Sequence, residues 1–174
     1  MENAVIKSLK ERRSVRSFLD KQVDEEALKI ILETATYTPT ARNLQSPIIV
    51  AVQDKEEIET LRKMNASVMG NPDADPFYGA PTIVIVLYGK EYANGIYDGS
   101  LVMGTLMNAA FALGVDSCWI HRAREEFESE EGKALLKKWG IEGEYVGVGH
   151  CILGYRDGEL PKARERKENY IYRV

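Results

Sequence analysis

The stretch Tyr97 to Leu113 constrains the fold more than any other. Leu101, Val102, Met103, Leu106, Met107, Ala110, Phe111 and Leu113 leave this helix candidate little polar surface. A helix that is apolar nearly all round has to be buried. It is therefore the central core helix, the seam of a homodimer, or both. Its methionines read as core packing. Gly99, Ser100, Gly104 and Ala109 offer places where another helix can approach closely. A chain of 174 residues fits one domain, 1–174, and can bury roughly 70% of its unfolded surface around such a helix.

The flanking pattern alternates helices and strands. Ala4 to Lys10 carries an apolar stripe of Val5, Ile6 and Leu9. Asp24 is placed to cap a helix with Leu28, Ile31, Leu32 and Ala35 inward, ending by Thr38 ahead of Pro39. Ile48–Val52 reads as a buried strand. Lys55–Met69 reads as a helix with Ile58, Leu61, Met64 and Val68 inward. Thr82–Tyr88 is the strongest strand signal. Gly114 closes the apolar helix at the position where a left-handed residue is usual. Val115–Ile120 is a strand, Glu125–Trp139 one or two short helices with a break at Gly132, and Tyr145–Tyr155 a final glycine-bearing strand. The glycines there suit close backbone approach to a ligand or a neighbouring element. The tail from Arg156 is polar and charged and ends in Tyr170, Ile171 and Tyr172.

Several function classes fall away. A formal net charge of −4 argues against general nucleic-acid binding, which needs a broad basic face. No apolar run is long enough to span a bilayer, and the first residues lack a signal-peptide pattern, so the expected location is cytoplasmic. Cys118, Cys151, His121 and His150 show no metal-ligand spacing, and no metal is expected. There is no dinucleotide-binding glycine fingerprint, no Walker A sequence and no nucleophile elbow. His150, inside an apolar strand, reads as a core histidine. His121, at a strand end, is the better placed for chemistry.

Against the acidic background, Arg12-Arg13-Ser14-Val15-Arg16-Ser17-Phe18 carries three arginines and two hydroxyls with no acid. Arg12, Ser14 and Arg16 alternate, so an extended segment turns them to one side. Two guanidinium forks around a hydroxyl suit a phosphate. Taken alone, the segment reads as a solvated basic turn after a helix. A second cluster, Lys162 and Arg164, also alternates and shifts the balance toward a dianion held between distant chain ends. The loop Pro39–Pro47 presents Thr40, Asn43 and Gln45, which donate and accept at once. They serve the edge of a heterocycle or the loop's own backbone; both readings stand.

In order and spacing, RRSVRSF, PTARNLQSP, APTIVIVL, the helix from Asp98, LGVDSCWI and GYRDGELPKAR resemble the FMN-dependent nitroreductase family along almost the whole chain. The resemblance implies an α+β fold with a central mixed β-sheet flanked by helices. It also implies an intertwined homodimer with FMN at the subunit interface, the swapped tail adding an arm or outer strand to the partner. Arg12, Ser14, Lys162 and Arg164 match the phosphate-binding positions, with Arg13 beside them. Arg16 matches a basic position by the pyrimidine edge, where it stabilises negative charge at N1. Pro39, Thr40, Asn43 and Gln45 match the loop that reaches the flavin of the other subunit. Trp119, Ile120 and His121 match the strand end whose backbone passes N5.

The activity implied is NAD(P)H oxidoreduction, with NADH or NADPH as reductant. Hydride passes through flavin N5 to nitroaromatic or quinone-type acceptors in a ping-pong sequence. No side-chain nucleophile is implied. A non-enzymatic flavin carrier or sensor is the alternative, sharing every phosphate contact. Two positions depart from the family's habit: Pro72–Pro76 offers no Lys ahead of the apolar strand, and Trp119 and His121 stand where some members have Pro and Glu.

Overall fold

The computed structural model describes residues 2–174. Six helices and four strands follow in the order α1 (Ala4–Glu11), α2 (Glu25–Thr36), β1 (Pro47–Val52), α3 (Lys55–Met69), β2 (Thr82–Gly89), α4 (Gly95–Ala112), β3 (Asp116–Ile120), α5 (Ala123–Glu128), α6 (Glu130–Lys138) and β4 (Tyr145–Gly154). A single 3-10 turn, Ala41–Asn43, lies between α2 and β1.

The helix starts follow side-chain capping. The Asp24 carboxylate accepts from the Glu26 and Ala27 N–H groups, and Asp54 does the same for Glu56 and Glu57. The strands form one sheet in the order β1-β2-β4-β3. All three pairings between these strands are antiparallel. The expected mixed sheet is thereby corrected: parallel pairing among the described residues is confined to one isolated bridge, Ser14 to Ser117.

That alternation buries both faces. One face packs Val84, Val86, Cys151 and Leu153 under α2 and α4, through Leu28, Ile31, Val102, Met103 and Leu106. The other packs Ile83, Ile85, Leu87, Cys118 and Ile152 under α3, α5 and α6, through Leu61, Met64, Phe127, Leu135 and Leu136. The apolar α4 is thus the core helix on one side. Its other side is open, with Tyr97 69% and Leu101 52% exposed. The close approach expected at Gly99 is made by a strand, because a Cβ there would meet Val148 at 2.5 Å.

Two details differ from the sequence expectation. The break between α5 and α6 falls at Ser129, whose hydroxyl caps α6 by accepting from Gly132 N–H. Gly132 lies inside α6 because the Glu126 carbonyl leaves no room for a Cβ, at 2.1 Å. On α3, Val68 is 41% exposed, and Asn65 is fully buried in the inward face. No helix among the described residues is long and apolar enough to cross a membrane.

Candidate active site

The basic segment after α1 lies along the outer edge of β3. Val15 N–H donates to the Ser117 carbonyl at 3.0 Å, and the Val15 side chain is buried. The segment covers an edge strand that would otherwise expose unpaired donors and acceptors. Ser14 is half-buried and Arg16 exposed.

The two neighbouring arginines have different fates. The Arg13 Nη1 donates to the Lys10 and Arg12 carbonyls at 2.7 and 2.8 Å. It satisfies the end of α1, where cations and donors are favoured. The Arg12 Nη1 is buried and has no acceptor among the described residues. A buried donor without a partner costs about 1–3 kcal/mol, more when charged. The Arg12 charge is felt at Cys151: burial pushes that thiol well up, Cys118 adds to the rise, and Arg12 pulls it part-way back. Cys151 pairs with Trp119 across the β3–β4 ladder. Arg12 therefore lies within electrostatic reach of Cys151 on β4.

The C-terminal tail is rooted beside the same segment. Phe18 and Arg156 form an isolated bridge, Leu19 N–H donates to the Tyr155 carbonyl at 2.8 Å, and Asp157 N–H donates to the Ser17 carbonyl at 3.0 Å. Lys162 follows Asp157 by five positions, a reach of roughly 17 Å at full extension. Lys162 and Arg164 themselves are exposed. Among the described residues no hydrogen bond joins them to Arg12 or Ser14. The fold brings the roots of the two basic clusters together and leaves the second cluster on a free arm.

At the end of β3, Trp119 is half-buried, Ile120 buried and His121 exposed. The Trp119 indole lies over Gly149, where a Cβ would come within 2.2 Å of Nε1. Its Nε1 is buried without an acceptor. The Trp119 and His121 rings are 5.9 Å apart.

The loop between α2 and β1 is pinned from α4. Asp98, buried, accepts from Ala41 N–H at 2.9 Å and from the Ser46 hydroxyl at 3.3 Å. Thr40 Oγ1 accepts from Gln45 N–H at 3.0 Å. Pro39, Asn43 and Gln45 are exposed. Arg42, Asn43 and Gln45 all have left-handed backbones, with φ near 54°, 55° and 51°. Three side-chain-bearing residues in that region make a strained loop, the kind that concentrates at ligand sites. Within the chain no hydrogen bond connects this loop to the Arg12–Phe18 segment among the described residues.

Residues 72–76 tie themselves into a turn. Asp75 accepts from Phe77 and Gly79 N–H, and Arg62 Nη1 donates to the Ala74 carbonyl at 2.6 Å. A cavity of about 580 Å³ lies away from the basic cluster, near Lys90, Phe127, Leu136 and Tyr145. Two of its lysines, Lys90 and Lys133, are already ion-paired with Glu144 and Glu130. The unpaired Arg12 marks the stronger candidate.

Asn65, Asp98, Asp116 and Glu126 are among the buried polar residues that escaped the sequence reading. Asp98 is the one acid in the first turn of an apolar helix. Asn65 interrupts the inward stripe of α3. Both are visible as polar residues at apolar positions, but their partners are not. His150 is a core histidine as expected, fully buried against Phe77 at 5.2 Å. Its Nε2 lies 3.1 Å from Glu126 Oε2, close enough for charge pairing but without hydrogen-bond alignment.

The profile of the Nitroreductase family matches residues 9–155. The chain belongs to the nitroreductase family. A nitroreductase from Bacteroides fragilis, solved with bound FMN, is 27% identical with a TM-score of 0.91, over 99% of this chain and 100% of that one. An FMN-dependent nitroreductase from Clostridium difficile R20291 is 27% identical with a TM-score of 0.84, over the whole of both chains. The FMN reductase (NAD(P)H) of Bacillus subtilis strain 168 is 29% identical over 144 residues, which cover 70% of this chain and 55% of that protein. The Arg12–Phe18 segment and the root of the tail both lie along the sheet's β3 edge.

Proposed function

We propose that this nitroreductase-family chain is an FMN-dependent NAD(P)H oxidoreductase, reducing nitroaromatic or quinone-type acceptors by a ping-pong sequence. The buried, unpartnered Nη1 of the half-buried Arg12 carries this reading. A charged donor shut off from water and without an acid partner suits an anion, and the neighbouring donors suit a phosphate monoester. The similarity to FMN-bound nitroreductases supports FMN as that phosphate's owner. Bound FMN would supply hydride acceptance from NADH or NADPH and delivery to the acceptor.

The chain's own residues bind, orient and tune. Arg12 and Ser14 grip the phosphate from the β3 edge, and Lys162 and Arg164 close on it from the tail. Arg13 stiffens the approach by capping α1. Arg16 brings a positive charge to the pyrimidine end of the ring, stabilising charge that develops there. Trp119, Ile120 and His121 form the wall against which reductant and acceptor alternate. Binding both at one place is what makes the sequence ping-pong.

The working form is a homodimer of single-domain subunits. Val5 and Leu9 on α1 and Tyr97 and Leu101 on α4 are exposed apolar residues, as are Tyr170, Ile171 and Tyr172 on the tail. Exposed apolar residues on α1 and α4, two helices that pack side by side, suit an interface. The strained loop bearing Pro39, Thr40, Asn43 and Gln45 then serves the partner's ring edge.

The test is an absorbance spectrum followed by anaerobic NADH and NADPH. A yellow protein that bleaches, and recovers on adding a nitroaromatic or quinone, is expected. A yellow protein that stays oxidised with both nucleotides makes it a carrier or sensor. Initial rates at varied NAD(P)H and acceptor give parallel double-reciprocal lines for ping-pong and intersecting lines otherwise. Light scattering at a monomer mass would remove the shared site.

A further inference from the structure

The turn after β3 is held from beneath by one buried amide. Asn65, fully buried on α3, donates Nδ2 to the His121 carbonyl at 2.9 Å and to the Glu126 carboxylate. Its Oδ1 accepts from Arg122 Nε at 2.8 Å. Two of the three contacts go to the β3–α5 connection and the third to α5 itself. That connection contains a left-handed Arg122, with φ 81°, a conformation unfavourable for a residue with a Cβ. Glu126 is in turn seated against the buried His150.

Peptide geometry gives this clamp a direction. In a trans peptide the carbonyl and the following N–H point opposite ways. The His121 carbonyl is turned inward onto Asn65, so the Arg122 N–H is aimed outward from α3. No acceptor for that N–H is present among the described residues. The Arg122 side chain is drawn inward by the same Asn65, which leaves the donor uncovered.

We propose that Asn65 is a positioning residue that fixes the His121–Arg122 peptide, so that the Arg122 N–H stands ready as a hydrogen-bond donor to the flavin ring. This role rests on the flavin-dependent function proposed above. A donor fixed before the ligand arrives needs no reorganisation when charge develops opposite it. A purely structural Asn65 would stabilise the contact of α3 with α5 and leave the flavin's environment unchanged.

The test uses full-length protein with FMN, comparing wild type, Asn65→Ala and Arg122→Gly. Three quantities are read: FMN affinity by fluorescence quenching, the bound-flavin midpoint potential, and amide hydrogen exchange at residue 122. In wild type, FMN is expected to slow exchange at residue 122. In Asn65→Ala that protection is lost, the potential shifts, and FMN binds about tenfold more weakly, the loss of one oriented hydrogen bond. In Arg122→Gly the protection persists, because Asn65 still holds the His121 carbonyl and glycine is at ease at that φ. Asn65→Ala matching wild type in all three readouts overturns the role. Should Asn65→Ala not fold, Arg122→Gly decides: a residue-122 amide that FMN leaves unprotected overturns it. Wild type that binds no FMN sinks the flavin reading and this role together. Wild type that binds FMN while Asn65→Ala is indistinguishable from it sinks this role alone.

Discussion

Asp116 grips Arg156 at the root of the C-terminal tail. The Arg156 Nη1 donates to both carboxylate oxygens, at 2.9 and 3.2 Å, and the Arg156 backbone N–H donates to Oδ2 at 3.3 Å. Asp116 is buried at the start of β3, so the pair sets where the tail leaves the sheet. Asp116→Ala is expected to lower stability by about 1.5–3 kcal/mol, the range for hydrogen bonds to charged groups. Urea denaturation measures this. The same variant should bind FMN more weakly, because Lys162 and Arg164 hang from that root. Unchanged affinity would mean the tail is positioned from elsewhere.

Arg12 and Arg13 should respond differently to removal. Arg12→Ala is expected to weaken FMN by about tenfold to a hundredfold, the loss of a charge-assisted contact of about 1.5–3 kcal/mol. Riboflavin, which lacks the phosphate, should bind the variant and wild type alike. Arg13→Ala should instead lower helix stability, since its contacts are to the Lys10 and Arg12 carbonyls. Titration of both flavins against both variants separates the roles, and equal losses for the two flavins would contradict the phosphate assignment.

Gly149→Ala tests the packing of Trp119. A Cβ at residue 149 would meet the indole Nε1 at 2.2 Å. The ring has to move, at about 1–3 kcal/mol for an overpacked site. A changed tryptophan emission spectrum, with a lowered unfolding midpoint, is the expected result.

Acid should remove one surface contribution over a defined interval. Arg62 forks onto Glu59 at 2.7 and 2.8 Å, and this hydrogen bonding takes the Glu59 carboxyl from the usual 4.5 to about 2. A lowered folded-state value means the pair stabilises above the unfolded value and fades as pH falls toward the folded one. The stability difference between wild type and Glu59→Gln should be constant above about 4.5 and vanish by about 2. A difference that persisted at the acid end would rule out the ion pair as its source. The Glu59 side chain is 46% exposed, so the effect is small and shrinks with added salt.

The two thiols should be silent in the folded protein. Cys118 and Cys151 are both buried, and burial pushes the Cys151 thiol well up, away from the reactive thiolate. A thiol reagent at mildly alkaline pH should count no cysteine before unfolding and two after it.

What the sequence determined by itself was local. Lys55–Met69 is helical because Asp54 caps it and apolar residues recur on one face. β2 is a strand because an unbroken β-branched run has to lie buried on both sides. Gly114 ends α4 with φ 75°, where a side chain would be strained. The residue types of the candidate site were legible for the same reason, since a basic run in an acidic chain stands out without any fold. Tertiary structure decided whatever depends on partners distant in sequence. Arg12 and Arg13 are alike as letters; only the fold shows Arg13 Nη1 capping α1 and Arg12 Nη1 buried without an acceptor. Asn65 breaks an apolar stripe in the sequence, yet its partners His121, Arg122 and Glu126 lie more than fifty positions away. The antiparallel order of the sheet was likewise invisible to periodicity, because every strand alternates in the same way whichever direction its neighbour runs. Pairing direction is set by how helices on both faces carry the chain back across the sheet, and that is a property of the whole molecule.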